Sequence, residues 1–472
     1  MLNTTDNMEM YSDKYVVIVE DGVKVESIAC FKATVRQRKV SHMDRLMGRA
    51  FFDNLRQMSF CVIENDLSYP LTLKVTPQFE FESYNVRPFN GKIQRKENTV
   101  EIEITGPTKI SLEFDGNIFE NLFVFIDSPK QVNFSDTDDN VLYFGKGVHD
   151  VGDIRLTDGQ TLYLDNGAFV YGSVYAENAK NIRICGNGII CGGKYNHDPR
   201  LPRICEFQFC NCENILVEDV TIIDSPCWTL CFDCCKNIRV TNVKEICNAI
   251  NSDGIDLTAC EDVVVSDCFF RNFDDNVSVK AKHEKLVRDL TQNLNVNEEN
   301  KEWYFGDSRN ILVKNCVFWA DAAHPMLVGP EAEPSAECVF ENIVFQDITV
   351  LQHREFSEVY QGVMAIFCAD NAVIRNITFK DICVDRMDCG RLISVIYTTE
   401  YASMIGKHVE NVLFENITYN GEEIYVNRIQ GHDENHVIDN VTVKNLVIRH
   451  QKQTDKYDLF GEAQFVNGLK VE

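Results

Sequence analysis

Residues 310–318 read Asn310-Ile311-Leu312-Val313-Lys314-Asn315-Cys316-Val317-Phe318, a polar residue opening an alternating apolar run, and then the same phrase again. The phrase recurs along the chain. It appears as Asn181-Ile182-Arg183-Ile184, Asn214-Ile215-Leu216-Val217, Asn237-Ile238-Arg239-Val240 and Asp262-Val263-Val264-Val265. After residue 310 it returns as Asn342-Ile343-Val344-Phe345, Asn376-Ile377-Thr378-Phe379, Asn411-Val412-Leu413-Phe414 and Asn440-Val441-Thr442-Val443. The starts lie 33, 23, 25, 48, 32, 34, 35 and 29 residues apart. Repeats of this size, nearly all strand, mark a solenoid, because each unit buries its apolar face only against its neighbours. The leucine-rich frame is absent, and propeller blades need about 40 residues and four strands. A right-handed parallel β-helix fits better than these or a large sandwich, with equivalent residues stacked about 4.8 Å apart from coil to coil. The Asn at each start belongs at a bend, where it tolerates left-handed backbone or forms side-chain ladders.

Residues 14–130 have another texture. Short alternating segments such as Leu71-Thr72-Leu73-Lys74-Val75 and Thr99-Val100-Glu101-Ile102-Glu103-Ile104 are separated by turn signals. Strands at such spacing predict a β-sandwich. One stretch, Met43 to Met58, reads as a helix through Leu46, Ala50, Phe51 and Leu55. The expected organisation is all-β, with a sandwich over residues 1–135 and a β-helix over 136–472. The 48-residue interval holds a polar insertion, 282–308, of the kind solenoids accept as loops on a binding face.

The composition narrows the function. Hydrophobic residues make up 44% of the 472-residue chain, enough for a sizeable core, and the formal charge of −26 opposes nucleic acid and anionic membrane. The 19 cysteines lie largely in apolar strand runs and read as small hydrophobes, without paired CxxC spacing for a structural metal. No stretch approaches about 18 apolar residues, and the first apolar run, Val16 to Val19, is too short for a signal core. A reduced, cytoplasmic protein is the expectation, although a secreted chain with its leader removed would read alike. Nothing in the sequence sets an oligomeric state.

Carboxylates that could carry chemistry sit on adjacent coils, in Asn251-Ser252-Asp253-Gly254-Ile255-Asp256 and Phe273-Asp274-Asp275-Asn276-Val277-Ser278-Val279-Lys280. Asp253 and Asp274 are 21 residues apart, about one coil, so a solenoid brings them to neighbouring rungs. Such a group can divide into a protonated acid and a water-activating base, the requirement for cutting a glycosidic bond. Strand parity places Asn276, Ser278 and Lys280 outward. Asp253 and Asp275 face out only if the chain bends at Gly254 and after Asp275, which the cost of burying an unpaired carboxylate favours. Acidic residues merely solvating bends are the plain alternative.

These blocks, with Ala323-His324-Pro325-Met326-Leu327-Val328-Gly329, Ser225-Pro226-Cys227-Trp228 and Gly186-Asn187-Gly188-Ile189-Ile190-Cys191-Gly192, resemble the motif order of the polygalacturonase family of glycoside hydrolases. The resemblance runs over about residues 140–400. His324 lacks the flanking glycines, and the family's Arg-Ile-Lys block has no counterpart. The N-terminal sandwich instead resembles the dextranase and isopullulanase family, which joins a sandwich to the same β-helix. The resemblance implies an inverting hydrolase of an oligo- or polysaccharide, with Asp274 as general acid and Asp253 and Asp275 activating water. His324 would hold the acid or the substrate. Lys280, Asn251, Asn276 and Glu331 complete the expected sugar contacts, and no cofactor or metal is called for. Trp303, Tyr304 and Trp319 are candidates for stacking on sugar rings, whereas Trp228 is expected in the core. The missing basic block and the acidic balance favour a neutral glycan. A β-helix polysaccharide lyase and a non-catalytic glycan-binding solenoid are the competing classes.

Overall fold

The computed structural model describes residues 10–34, 57–65, 70–130, 134–195, 204–285, 302–421 and 425–472. The chain divides into two compact units, with the described residues up to 130 in one and those from 134 onward in the other. The first contains two five-stranded sheets. One runs Val25–Ile28, Tyr15–Glu20, Leu71–Pro77, Thr99–Ile104, Ile93–Lys96. The other runs Phe31–Thr34, Gln57–Glu64, Asn117–Asp127, Thr108–Phe114, Tyr84–Arg87. Alternation decides the faces: Leu71, Leu73 and Val75 are fully buried, and Val17, Ile102, Leu112 and Val124 share their core. Most of the expected helix at Met43 to Met58 lies outside the described residues. Its last residue, Met58, is instead a buried position of the strand Gln57–Glu64.

The second unit is a right-handed parallel β-helix, a 29-stranded sheet in which each strand pairs with its equivalent one coil on. Ile255, Asp256, Leu257 and Thr258 pair in order with Val277, Ser278, Val279 and Lys280. Val277 and Ser278 pair in turn with Met326 and Leu327. Leu230, Ile255, Val277, Met326, Met364 and Ile393 therefore stack inside the coil, while Cys231, Asp256, Ser278 and Leu327 alternate to the other face. One short helix, Lys456–Phe460, lies near the C-terminus.

The repeat's polar residue does what its position requires. Asn181, Asn214, Asn237, Asp262, Asn310, Asn342, Asn376, Asn411 and Asn440 all have φ between 53° and 61°. Asparagine is among the few non-glycine residues that reach this region readily. Their amides also bond from coil to coil. Asn310 donates to Asp262 at 3.0 Å, Asn342 to Asn310 at 3.2 Å and Asn376 to Asn342 at 3.2 Å. Inside, the third apolar position of three successive coils places Phe345, Phe379 and Phe414 in a stack, with ring centroids 5.1 and 5.2 Å apart and planes within 4°. Phe379 is fully buried. Phe379→Ala is expected to lower stability by about 3–5 kcal/mol, read from urea unfolding. A loss below about 1 kcal/mol would mean that neighbouring coils collapse into the gap.

Candidate active site

The site is built on the turns that precede three consecutive strands, Ile255–Thr258, Val277–Lys280 and Met326–Val328. In the first turn Ser252 Oγ donates to the Cys247 carbonyl at 2.9 Å and accepts from the Phe273 N–H at 3.3 Å, fastening one coil to the next. Asn251, half-buried in the same turn, has φ 61°. Gly254 follows Asp253 where no side chain fits: a Cβ there would lie 2.5 Å from the Asn276 carbonyl oxygen and 2.8 Å from Asn272 Oδ1. The bend expected at Gly254 is present, and so is the second, but neither turns its carboxylate out to solvent, since Asp253 and Asp275 are both buried. The strand after Asp275 begins only at Val277, with a bend over Phe273, Asp274 and Asn276.

Asp253, Asp274 and Asp275 converge, with one carboxylate oxygen from each within 4.8 Å of the others. Asp253 and Asp275 are buried, whereas Asp274 stays half-buried. Asp275 is the anchored member. It accepts from the His324 backbone N–H at 2.9 Å and from Nδ1 of the same residue at 2.7 Å. His324 Nε2 meets the Tyr360 carbonyl. Both ring nitrogens therefore face acceptors, and the imidazole carries both protons. Burial alone would lower its pKa, but the Asp275 charge and hydrogen bond prevail and raise it to about 9. In return, although burial would raise the Asp275 pKa, the His324 charge and bonds hold it below the usual carboxylate range. Burial, then the Asp256 and Asp274 charges, push Asp253 well above that range. One carboxylate of the group is thus fixed as an anion while another favours a proton.

Lys280 gathers the neighbouring acids. Its Nζ lies 2.9 Å from Asp256 Oδ1, 3.0 Å from Glu331 Oε2 and 3.6 Å from Asp253 Oδ2. It also sits 3.7 Å above the Trp228 ring. Burial would lower its pKa, but Asp256, Glu331 and Asp253 keep it charged. Asp256, fully buried, is raised to about 7 by burial despite that lysine. Glu355, raised to about 7 mainly by burial, interacts electrostatically with His324, Asp274 and Asp275. His353, whose ring is 6.5 Å from that of His324, is pushed down to about 3 by burial and by the charge on its neighbour.

Of the residues expected at the site, Asp253, Asp274, Asp275, Lys280, His324 and Glu331 are brought together. Four expectations are corrected. Asn276 is not on the sugar side: fully buried, it donates to the Asn272 side chain at 3.0 Å and to the Trp319 carbonyl at 3.1 Å. His324 has no ring nitrogen left for a sugar and holds Asp275 rather than the expected acid. Trp319 is fully buried under Arg271 and donates to Asp321 at 3.0 Å, so it stacks on no sugar. Tyr304 is buried too, while Trp303 is 38% exposed and has Lys282 Nζ over one face of its ring at 4.2 Å. Trp228 packs with Cys205, Cys227 and Cys231, as expected of a core residue, yet also forms the floor under Lys280.

The His324 charge makes stability fall with pH. Its folded pKa of about 9 exceeds the unfolded value, so its stabilisation is complete below about pH 6.5 and is lost as pH rises through about 9. The raised Asp253, Asp256 and Glu355 act with the same sign. Melting temperatures across this window are expected to fall in the wild type and to fall less steeply in His324→Gln. A wild-type melt that rose with pH would mean a neutral imidazole.

The profile described as glycosyl hydrolases family 28 matches residues 190–458, more than half of the chain. Probable exopolygalacturonase B of Aspergillus fumigatus is 24% identical over 223 residues, which are 46% of this chain and 42% of that protein. The chain spans a little under half the length of the curated relatives it matches. Among solved structures, Dex49A from Penicillium minioluteum superimposes with a TM-score of 0.69 at 13% identity, covering 98% of this chain and 94% of that one. The family 28 exopolygalacturonase of Yersinia enterocolitica gives a TM-score of 0.50 at 12% identity, covering 84% and 94%. These two likenesses establish the shared fold.

Proposed function

Because the chain belongs to family 28 of the glycosyl hydrolases, we propose that it hydrolyses glycosidic bonds of an oligo- or polysaccharide through Asp253, Asp274 and Asp275. The observation that carries this reading is the three-carboxylate cluster in which His324 fixes one member as an anion. Asp274, the member that stays half-buried, delivers a proton to the leaving oxygen. Asp275, the member held as an anion, takes a proton from the attacking water, and Asp253, whose raised pKa favours its protonated form, positions that water by hydrogen bonding. The glycosidic C–O bond breaks as the new C–O bond to water forms, and the sugar leaves with inversion.

A neutral sugar suits the cleft. Lys280 and His324 are already matched to Asp256, Glu331 and Asp275. A sugar carboxylate would therefore find neither of these two cations free. Reducing-sugar release from dextran, pullulan and short neutral oligosaccharides, run beside polygalacturonate, tests this. Cleavage of polygalacturonate alone would overturn the neutral reading. An unsaturated, ultraviolet-absorbing product would replace hydrolysis by elimination.

Proton NMR of the first product tests the stereochemistry, and the anomer opposite to the substrate's is expected. A retaining reading has one observation in its favour. The nearest oxygens of the three carboxylates lie within 4.8 Å of one another, and a pair drawn that close could act as acid and nucleophile rather than flank a water. A retained anomer would make one of these aspartates a nucleophile.

A further inference from the structure

Below the carboxylate cluster, on the same face of the β-helix, lies a second group of chemistry-bearing side chains that the proposed hydrolysis does not use. Cys231 and Asp233 alternate with the core residues Leu230 and Phe232, so both leave the strand Leu230–Asp233 on its other face. In register, Cys231 pairs with Asp256 on the next coil, and Asp233 with Thr258, which itself pairs with Lys280. His283 comes down on them from the short hairpin of Lys282–Glu284 with Trp303–Phe305, which brackets most of the insertion in the longest repeat interval. Its Nδ1 lies 2.9 Å from Asp233 Oδ1 and 3.9 Å from Cys231 Sγ, and Cys231 Sγ lies 3.4 Å from Asp233 Oδ2. The Cys205 thiol hydrogen-bonds to that of Cys231. All four side chains are buried.

We propose that Cys205, Cys231, Asp233 and His283 bind a thiophilic divalent cation, zinc by the nature of the donors. Two sulfurs, one imidazole nitrogen and one carboxylate are a ligand set that selects zinc over calcium or magnesium. A tetrahedral zinc with ordinary bond lengths has ligand-to-ligand edges of roughly 3.3–3.8 Å, so the donors of Cys231, Asp233 and His283, already within 4.8 Å of one another, need shift by only about half an ångström, and the Cys205 side chain turns further to close the fourth position. On binding, the two thiols and the His283 imidazolium release their protons to solvent, and the thiolates, the carboxylate and the neutral imidazole enclose the ion. The ion would clip the base of the insertion hairpin to the β-helix. It would also bear on the neighbouring site, since the Trp228 ring stacks on His283 at 4.3 Å and carries Lys280 on it at 3.7 Å. The ligands are spread from 205 to 283, so no short cysteine spacing announces them.

The test loads the reduced, chelator-stripped full chain with Co²⁺ and then displaces it with Zn²⁺. Thiolate-to-cobalt absorption in the near ultraviolet and tetrahedral cobalt bands in the visible are expected, saturating at equimolar metal. Cys231→Ser should at least halve the thiolate absorption, and His283→Gln should weaken binding by at least about tenfold. Cys383→Ser, remote from the group, should change neither. Circular dichroism keeps the comparison to folded variants, and His283→Gln carries the test if Cys231→Ser does not fold. Absence of cobalt bands in metal excess would overturn the proposal and leave a buried His283–Asp233 ion pair. Bands that persist unchanged in both ligand variants would overturn it too, assigning the metal to thiols elsewhere.

Discussion

Asp274→Asn is expected to lower kcat by about 10²–10⁴-fold, the usual contribution of a positioned general acid. KM and the melting temperature should change little. The amide keeps the shape of the carboxyl group but cannot give a proton to a leaving oxygen. Asp274 is half-buried rather than buried, so its replacement opens no cavity. It also removes one negative charge that raises the Asp253 pKa, which should leave stability equal or slightly higher. Leaving-group chemistry separates the acid from the base. A nitrophenyl glycoside of the sugar that the substrate panel identifies departs with little proton assistance, so the deficit of the variant should shrink by at least about tenfold on it. Asp275→Asn, which removes the anchored anion, should be equally impaired on both substrates. A deficit in Asp274→Asn that did not depend on the leaving group would assign the acid to another residue, with Asp253 the next candidate because its pKa is raised. Full activity would remove Asp274 from the chemistry.

The fold was legible because the chain meets one constraint again and again. Each coil needs a residue in the left-handed region at its bend, and Asn supplies it at Asn310, Asn342, Asn376, Asn411 and Asn440. The alternation that follows fixes which side chains enter the core. The carboxylates were legible for the same reason, since one coil of separation between Asp253 and Asp274 becomes proximity in a solenoid. Asp256 could have been added on parity alone, because it alternates with Ile255 and Leu257 and so shares a face with Lys280 one coil on. Cys231 and Asp233 follow the same rule.

What the sequence could not show are side chains governed by bends rather than by strands. Parity places Asn276 outward with Ser278 and Lys280. The strand starts only at Val277, however, and the bend before it turns Asn276 toward Asn272 and the Trp319 carbonyl. Trp319 pairs in register with Arg271 on the preceding coil, whose guanidinium covers its ring, while a register shift between Phe318 and Trp319 sets it opposite Gln352 on the next. The second bond of His324 is to a carbonyl 36 residues away, and no local pattern encodes it. Glu355 follows a long strand and carries no spacing signal at all.

Lys280→Met is expected to lower stability by about 3–5 kcal/mol near pH 8, the usual cost of leaving a buried charge without its partner. The thioether keeps the length and the packing on Trp228 but removes the cation that lies 2.9 Å from Asp256 and 3.0 Å from Glu331. Asp256, fully buried, would then be an anion with no counter-charge at hand. Its escape is to take a proton. Its pKa, about 7 with the lysine present, must rise further without it. A carboxyl group whose folded pKa lies above its unfolded value stabilises the fold at low pH and loses that contribution as pH rises. The penalty of the variant should therefore be small near pH 5, where Asp256 is protonated in either protein, and grow toward pH 8. Urea unfolding at the two pH values measures the difference, and adding Asp256→Asn to Lys280→Met should restore much of the loss at the higher one. A penalty equal at both pH values and not relieved by the second substitution would mean that Lys280 acts by packing on Trp228. Its charge would then have no part in holding the acids of the site in place.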